Sequence, residues 1–289
     1  MESNRSSQTA YGAAYARLLE QYESKETRLF EDSFVKNFFS SSTGFLMRFE
    51  AFRKSFAFMY GMASIGILGL QVCRTKYIDG ILREAIKNGM EQLVVLGAGF
   101  DTRPYRMAGS DEMKIFEVDL PDIQGKKKKI MKKCLGVLPD NIIYAAIDFN
   151  VQTLENVLTD QGLDLSKPVL FIWEGVTQYI TGEAVDNTMK FISTASPGSE
   201  IVFTYILKSV IDGASNIAGA ESLTNLLAMG NAEWSFGLEP RDVRDFLKQY
   251  GLELIEDIGV DYYQENYLKP IGRELDISPI ERLVHARII

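Results

Sequence analysis

Apolar residues recur at helical spacing through the first part of the chain, as in Phe34, Val35, Phe38 and Phe39, and the texture changes near residue 91. Beyond that point short apolar runs alternate with amphipathic stretches. The runs predict strands at 92–97, 114–119, 142–147, 168–173, 199–206, 252–258 and 282–288. Strands alternating with helices build a mostly parallel sheet covered on both faces. The chain therefore reads as an α/β protein with a seven-stranded, mostly parallel, doubly wound sheet over 91–289 and a helical cap over 1–90. The segment 207–240, rich in Gly, Ala, Ser and Asn, reads as an insertion before the last two strands, placed to cover a site at the strand ends.

Composition narrows the partners. A length of 289 residues with 46% hydrophobic content allows a large core. A net charge of -8 argues against a nucleic-acid partner, because phosphate binding needs a basic footprint. Cys73 and Cys134 have no metal-ligand spacing and read as reduced thiols of a cytoplasmic protein, so no metal is expected. Phe56 to Cys73 carries no charge, but Gly61, Ser64, Gly66, Gly69 and Gln71 favour a buried, glycine-dented helix over a membrane span. The first residues, Met1 to Ser7, lack the apolar core of a signal peptide. Oligomeric state has no sequence signal.

Chemistry concentrates at the predicted strand ends, where open α/β sheets bind ligands. The run Leu93 to Leu96 breaks into Gly97-Ala98-Gly99, a turn that lets backbone approach a ligand, followed by Asp101 and Arg103, which read as braces. The next strands end in Asp119, in Asp148-Phe149 and in Glu174-Gly175. Asp119 suits two ribose hydroxyls, because an ionised carboxylate has two acceptor oxygens. Asp148 suits an adenine amine, with the Phe149 backbone on a ring nitrogen. Glu174 suits an ammonium, and the planar fork of Arg74 suits a carboxylate. An adenosine joined to an amino acid is S-adenosyl-L-methionine. NAD fits less well, since Thr102 stands where a third glycine belongs. Glu174 could instead cap a helix, Arg74 could be a surface ion pair, and the lysines from Lys126 to Lys133 read as a solvated helix face.

The run Val94-Val95-Leu96-Gly97-Ala98-Gly99-Phe100-Asp101-Thr102-Arg103-Pro104-Tyr105-Arg106 resembles the signature of the leucine carboxyl methyltransferase-like family. So do Arg74-Thr75-Lys76-Tyr77-Ile78-Asp79, Glu117-Val118-Asp119-Leu120-Pro121, Ile147-Asp148-Phe149 and Glu174-Gly175-Val176-Thr177-Gln178-Tyr179. Thr9-Ala10, Arg17 and Asp32-Ser33-Phe34 match more weakly, and Phe149 departs from a frequent Leu. The resemblance implies a class I methyltransferase fold and cofactor contacts at Arg74, Gly97, Gly99, Asp101, Asp119, Asp148, Phe149 and Glu174. Its members include enzymes that methylate a protein C-terminal carboxylate and others that methylate polyketide carboxylates.

A methyl acceptor follows from what is scarce. Hydroxyl acceptors call for a base, and the single histidine, His285, falls inside a predicted strand. A carboxylate is already ionised at neutral pH. The expectation is a methyltransferase acting on a small-molecule carboxylate. Phenol or protein C-terminal methylation, or cofactor binding without catalysis, stay open. No catalytic residue is assigned; Tyr179 and Arg17 are candidates for positioning the acceptor, with Tyr11 and Tyr15 nearby.

Overall fold

The structure, a computed structural model, describes residues 2–63, 65–147, 152–217 and 234–289. Each predicted strand forms, with ends moved by one residue at most: β1 (Gln92–Leu96), β2 (Lys114–Asp119), β3 (Ile142–Ala146), β4 (Val169–Trp173), β5 (Glu200–Leu207), β7 (Leu252–Ile258) and β8 (Glu281–Ile288). The sequence pattern missed β6 (Gly237–Leu238), whose two residues pair with the end of β5. Two residues are too short for any alternation of apolar positions to register. The sheet order is β3-β2-β1-β4-β5-β8-β7, parallel through β5, with β8 antiparallel to both its neighbours. Strand order reverses between β1 and β4, which places a crevice at their carboxyl ends.

Side chains alternate across each strand, so each feeds two cores. Val94, Leu96, Phe116, Phe171 and Trp173 pack on one face with α7 (Leu154–Thr159) and α8 (Gly182–Ile192). Leu93, Val95, Leu170, Ile172 and Val202 pack on the other with α4 (Ile67–Lys87). Burying each such Leu, Ile or Val contributes about 1.5–3 kcal/mol, so the apolar face of α4 holds it against the sheet. A third cluster joins α1 (Glu2–Glu20) to Phe100 of the glycine turn and to Ile123 and Met131 of α6 (Pro121–Leu135).

The uncharged stretch from Phe56 to Cys73 is two helices rather than one. The helix α3 (Glu50–Ala63) ends before the break, and α4 starts after Gly66, whose φ of 76° is left-handed. Gly69 does dent the packing surface: a Cβ there would meet the Asp276 carbonyl at 2.1 Å. No described helix is long and apolar enough to cross a membrane. Of the 207–240 insertion, 218–233 lie outside the described residues; what is described includes α9 (Lys208–Ile211) and β6.

Candidate functional site

The glycine turn leaves β1 at the crevice. Gly97 has φ 65° and Gly99 φ 44°, and a Cβ on Gly97 would lie 2.3 Å from Val176 Cγ2. Only glycine meets both demands at Gly97 without displacing the β4 loop. Asp119, at the end of β2, accepts from the Gly99 N–H at 2.5 Å and from the Leu120 N–H at 2.6 Å. Burial pushes the Asp119 carboxyl up, and these backbone donors pull against it. One oxygen faces each donor, and each oxygen has a second lone pair for a ligand hydroxyl.

Beside the turn lies a network of guanidiniums and carboxylates. Arg103 Nη1 donates to Asp101 Oδ2 and to Glu174 Oε2, both at 2.7 Å, while Nε donates to Asp79 Oδ1 at 2.8 Å. Arg74 donates to Glu174 Oε1 at 2.8 Å and to Glu281 Oε1 at 2.6 Å. Arg106 holds both oxygens of Asp79 at 2.7 Å. Burial opposes ionisation of Asp101 and Glu174, but Arg103 together with Lys127 and Arg17 at Asp101, and with Arg74 at Glu174, outweighs it and holds both carboxyls below their usual range. Burial resists the positive charges of Arg74 and Arg103 too, and their carboxylate partners overcome it and keep them protonated.

Arg17 behaves differently from its sequence reading. It donates to the Phe100 carbonyl at 2.6 Å and to Asp32 and Thr102 at 3.1 Å each. Its fork is engaged in tying α1 to the glycine turn, so it is not directed at an acceptor. Ala10 and Tyr11 of α1 complete that contact: Ala10 Cβ would lie 3.5 Å from a Cβ on Gly99, and the Tyr11 ring meets Phe100 edge-on at 4.9 Å.

Counting the joined groups gives four guanidiniums (Arg17, Arg74, Arg103, Arg106) against five carboxylates (Asp32, Asp79, Asp101, Glu174, Glu281). Burial pushes the Glu281 carboxyl upward against the pull of Arg74, with a smaller push from Glu174. A buried site with one surplus negative charge favours a cationic ligand. Asp119 adds an acceptor for hydroxyls. Together these groups could hold a ligand that brings a ribose and an ammonium; Arg74 and Glu174 stand side by side, joined at 2.8 Å.

The structure thus brings Arg74, Gly97, Gly99, Asp101, Asp119 and Glu174 to one end of the sheet. Asp148 and Phe149 lie outside the described residues; just before them the Ile147 N–H bonds the Asp119 carbonyl at 3.0 Å. Tyr179 sits in the turn Thr177–Tyr179 after β4, near enough to Glu281 and Arg74 to feel their charges, and burial pushes its phenol up. Glu174 is a network member and not a helix cap. Asp79, Arg106, Asp32, Thr102 and Glu281 had no role from sequence. The available signal was charge in apolar surroundings: Arg74 and Asp79 interrupt a helical run of Leu70, Val72, Cys73, Tyr77, Ile78 and Leu82. Among the described residues no group of acids, histidines and cysteines could hold a metal.

Residues 10–193 match the model of the leucine carboxyl methyltransferase family. A Bacillus subtilis protein bearing the name of an S-adenosyl-L-methionine-dependent methyltransferase is 25% identical over 99% of both chains. A Streptomyces coelicolor protein with the same name is 30% identical over 71% of this chain and 70% of its own. Among solved structures, one from Thermobifida fusca, titled as a methyltransferase, shares the fold with a TM-score of 0.57 at 16% identity, covering 83% of this chain and 89% of its own.

Proposed function

This chain belongs to the leucine carboxyl methyltransferase family, and on that premise we propose that it methylates a carboxylate oxygen of a small molecule. The enzyme is an S-adenosyl-L-methionine-dependent methyltransferase. When bound, that donor supplies an electrophilic methyl group on a sulfonium. Asp119 holds the ribose hydroxyls, Glu174 the ammonium and Arg74 the amino-acid carboxylate. Asp148 and the Phe149 backbone serve the adenine.

One observation supports the acceptor: Asp101 and Glu174, beside the turn, are engaged with guanidiniums, which leaves them poor bases. Asp101 and Glu174 are held ionised by arginines, and an acid kept below its usual range binds a proton weakly. The histidine is at the other end of the sheet, where His285 Nε2 lies 2.8 Å from Glu200 Oε2. Tyr179 and Tyr263 are pushed upward by burial, so their phenolates form reluctantly. A carboxylate acceptor needs none of these groups, since it arrives ionised. The protein then contributes orientation and exclusion of water, which can supply on the order of 7–11 kcal/mol of barrier lowering.

The test is incubation with donor labelled at the methyl group and a panel of carboxylic acids, phenols and C-terminal peptides. Label released by mild base from a small carboxylic acid is the expected outcome. Base-stable label on a phenol would mean an ether and would overturn the carboxylate reading; label on peptides alone would overturn the small-molecule reading.

A further inference from the structure

The lysine run of α6 contains one residue that does not behave as a solvated face. Lys127 is 1% exposed, whereas Lys126, Lys128, Lys129, Lys132 and Lys133 are exposed. Its ammonium lies 2.7 Å from Glu117 Oε1, with both side chains 1% exposed, and 3.4 Å from the Ala98 carbonyl. It also sits 5.7 Å from the centre of the Tyr105 ring. Tyr105 in turn donates to Glu117 Oε2 at 3.2 Å and meets the Tyr144 hydroxyl at 2.8 Å. Taking an ammonium and a carboxylate out of water costs several kcal/mol per ion, and apolar side chains of similar volume commonly serve stability as well. The pair therefore calls for a role besides stability.

Position supplies one. Ala98 stands between the two left-handed glycines, and its carbonyl belongs to the same peptide unit as the Gly99 N–H. The N–H end of that unit is held by Asp119 at 2.5 Å, and the carbonyl end accepts from the Asp101 N–H at 2.8 Å and from Lys127 at 3.4 Å, so Lys127 is the side-chain donor on it. Rotation of this peptide would take the Gly99 N–H away from Asp119 and release the carboxylate assigned to ribose. That rotation changes ψ of Ala98 and φ of Gly99, and Gly99 resists it weakly because it has no Cβ to forbid other angles. We propose that Lys127, anchored by Glu117, is a positioning residue for cofactor binding that fixes the orientation of the Ala98–Gly99 peptide. It acts through the turn, without touching the donor.

The experiment separates this role from simple stability. S-Adenosyl-L-methionine is titrated calorimetrically into the wild type, Glu117→Gln, Lys127→Met and the Glu117→Gln/Lys127→Met double variant, with thermal unfolding recorded for each. Lys127→Met strands the Glu117 carboxylate, so its melting temperature falls, and the double variant relieves that fault. The double variant is expected to melt near the wild type yet bind the donor at least ten-fold more weakly. Affinity recovering along with stability would overturn the proposal. Should the double variant not fold, Glu117→Gln decides: it keeps the ammonium on Ala98 and is expected to hold affinity within about three-fold. A loss as large as that of Lys127→Met would contradict the role.

Discussion

At the carboxyl ends of β1 and β4, Arg74 and Arg103 are 5% and 2% exposed and are shared among several carboxylates. At the amino ends of the same strands, Lys167 meets Glu91 at 2.6 Å with side chains 53% and 64% exposed. Nearby, Arg287 reaches Glu200 with its own side chain 51% exposed. Both ends carry ion pairs of good geometry, yet water screens one set and is excluded from the other. Exposed pairs are worth about 0–1 kcal/mol, while removing one partner of a buried pair costs about 3–5 kcal/mol. The carboxyl end holds charges that the fold has to protect; at the amino end the Lys167–Glu91 pair only decorates it.

Breaking the buried network has the largest expected effect. Arg103→Met leaves Asp79, Asp101 and Glu174 short of a partner and should cost about 3–5 kcal/mol in urea unfolding. A loss below about 1 kcal/mol would mean that water screens this end as well. Glycines sharpen the same contrast. Gly97→Ala combines a left-handed φ with the clash on Val176 and should lower both stability and donor affinity. Gly198, at the amino end of β5, has φ 87° with nothing within 4 Å of a Cβ, so Gly198→Ala should cost only about 1 kcal/mol and spare affinity. Equal losses of affinity would remove the distinction.

Acid and base responses differ in sign within the cofactor end itself. Asp101 and Glu174 have folded values below their ordinary ones, so their stabilisation is complete above the usual carboxylate range and is lost as pH falls through the folded values. Glu117 is pushed by burial from 4.5 up to about 7, against the pull of Lys127. The folded state then holds a proton that the unfolded chain has released, so stability declines as pH rises from about 4.5 to about 7. Replacing Glu117 by Gln should flatten that decline by roughly 1–3 kcal/mol in unfolding measured at pH 5 and pH 7. An unchanged slope would show that Glu117 is ionised throughout. The smallest effect belongs to Lys167→Ala, expected to stay within about 0.5 kcal/mol and to leave activity unchanged.

The cluster at the carboxyl ends of the strands was legible in sequence because its polar residues sit where apolar runs stop abruptly, at Gly97, Asp119 and Glu174. The strands were legible for the same reason, their buried runs being continuous. Pairing was less visible. Nothing in local spacing says that Arg74 on α4 meets Glu281 on β8, which lie 207 positions apart. Arg17 looked like an acceptor-side residue because sequence gives its neighbourhood on α1 but not its reach across to Phe100. Lys127 was hidden inside a lysine run whose other members are solvated, and only the way α6 lies against β2 separates it from them. β6 gave no periodic signal at all, being two residues long.

The account rests on the end of β2 as the place where the donor's ribose is held. Calorimetric titration of S-adenosyl-L-methionine into wild type and Asp119→Ala, with circular dichroism confirming the fold of each, tests that most directly. Binding by the wild type and none by a folded Asp119→Ala protein is the predicted result; unchanged affinity in the variant would contradict it.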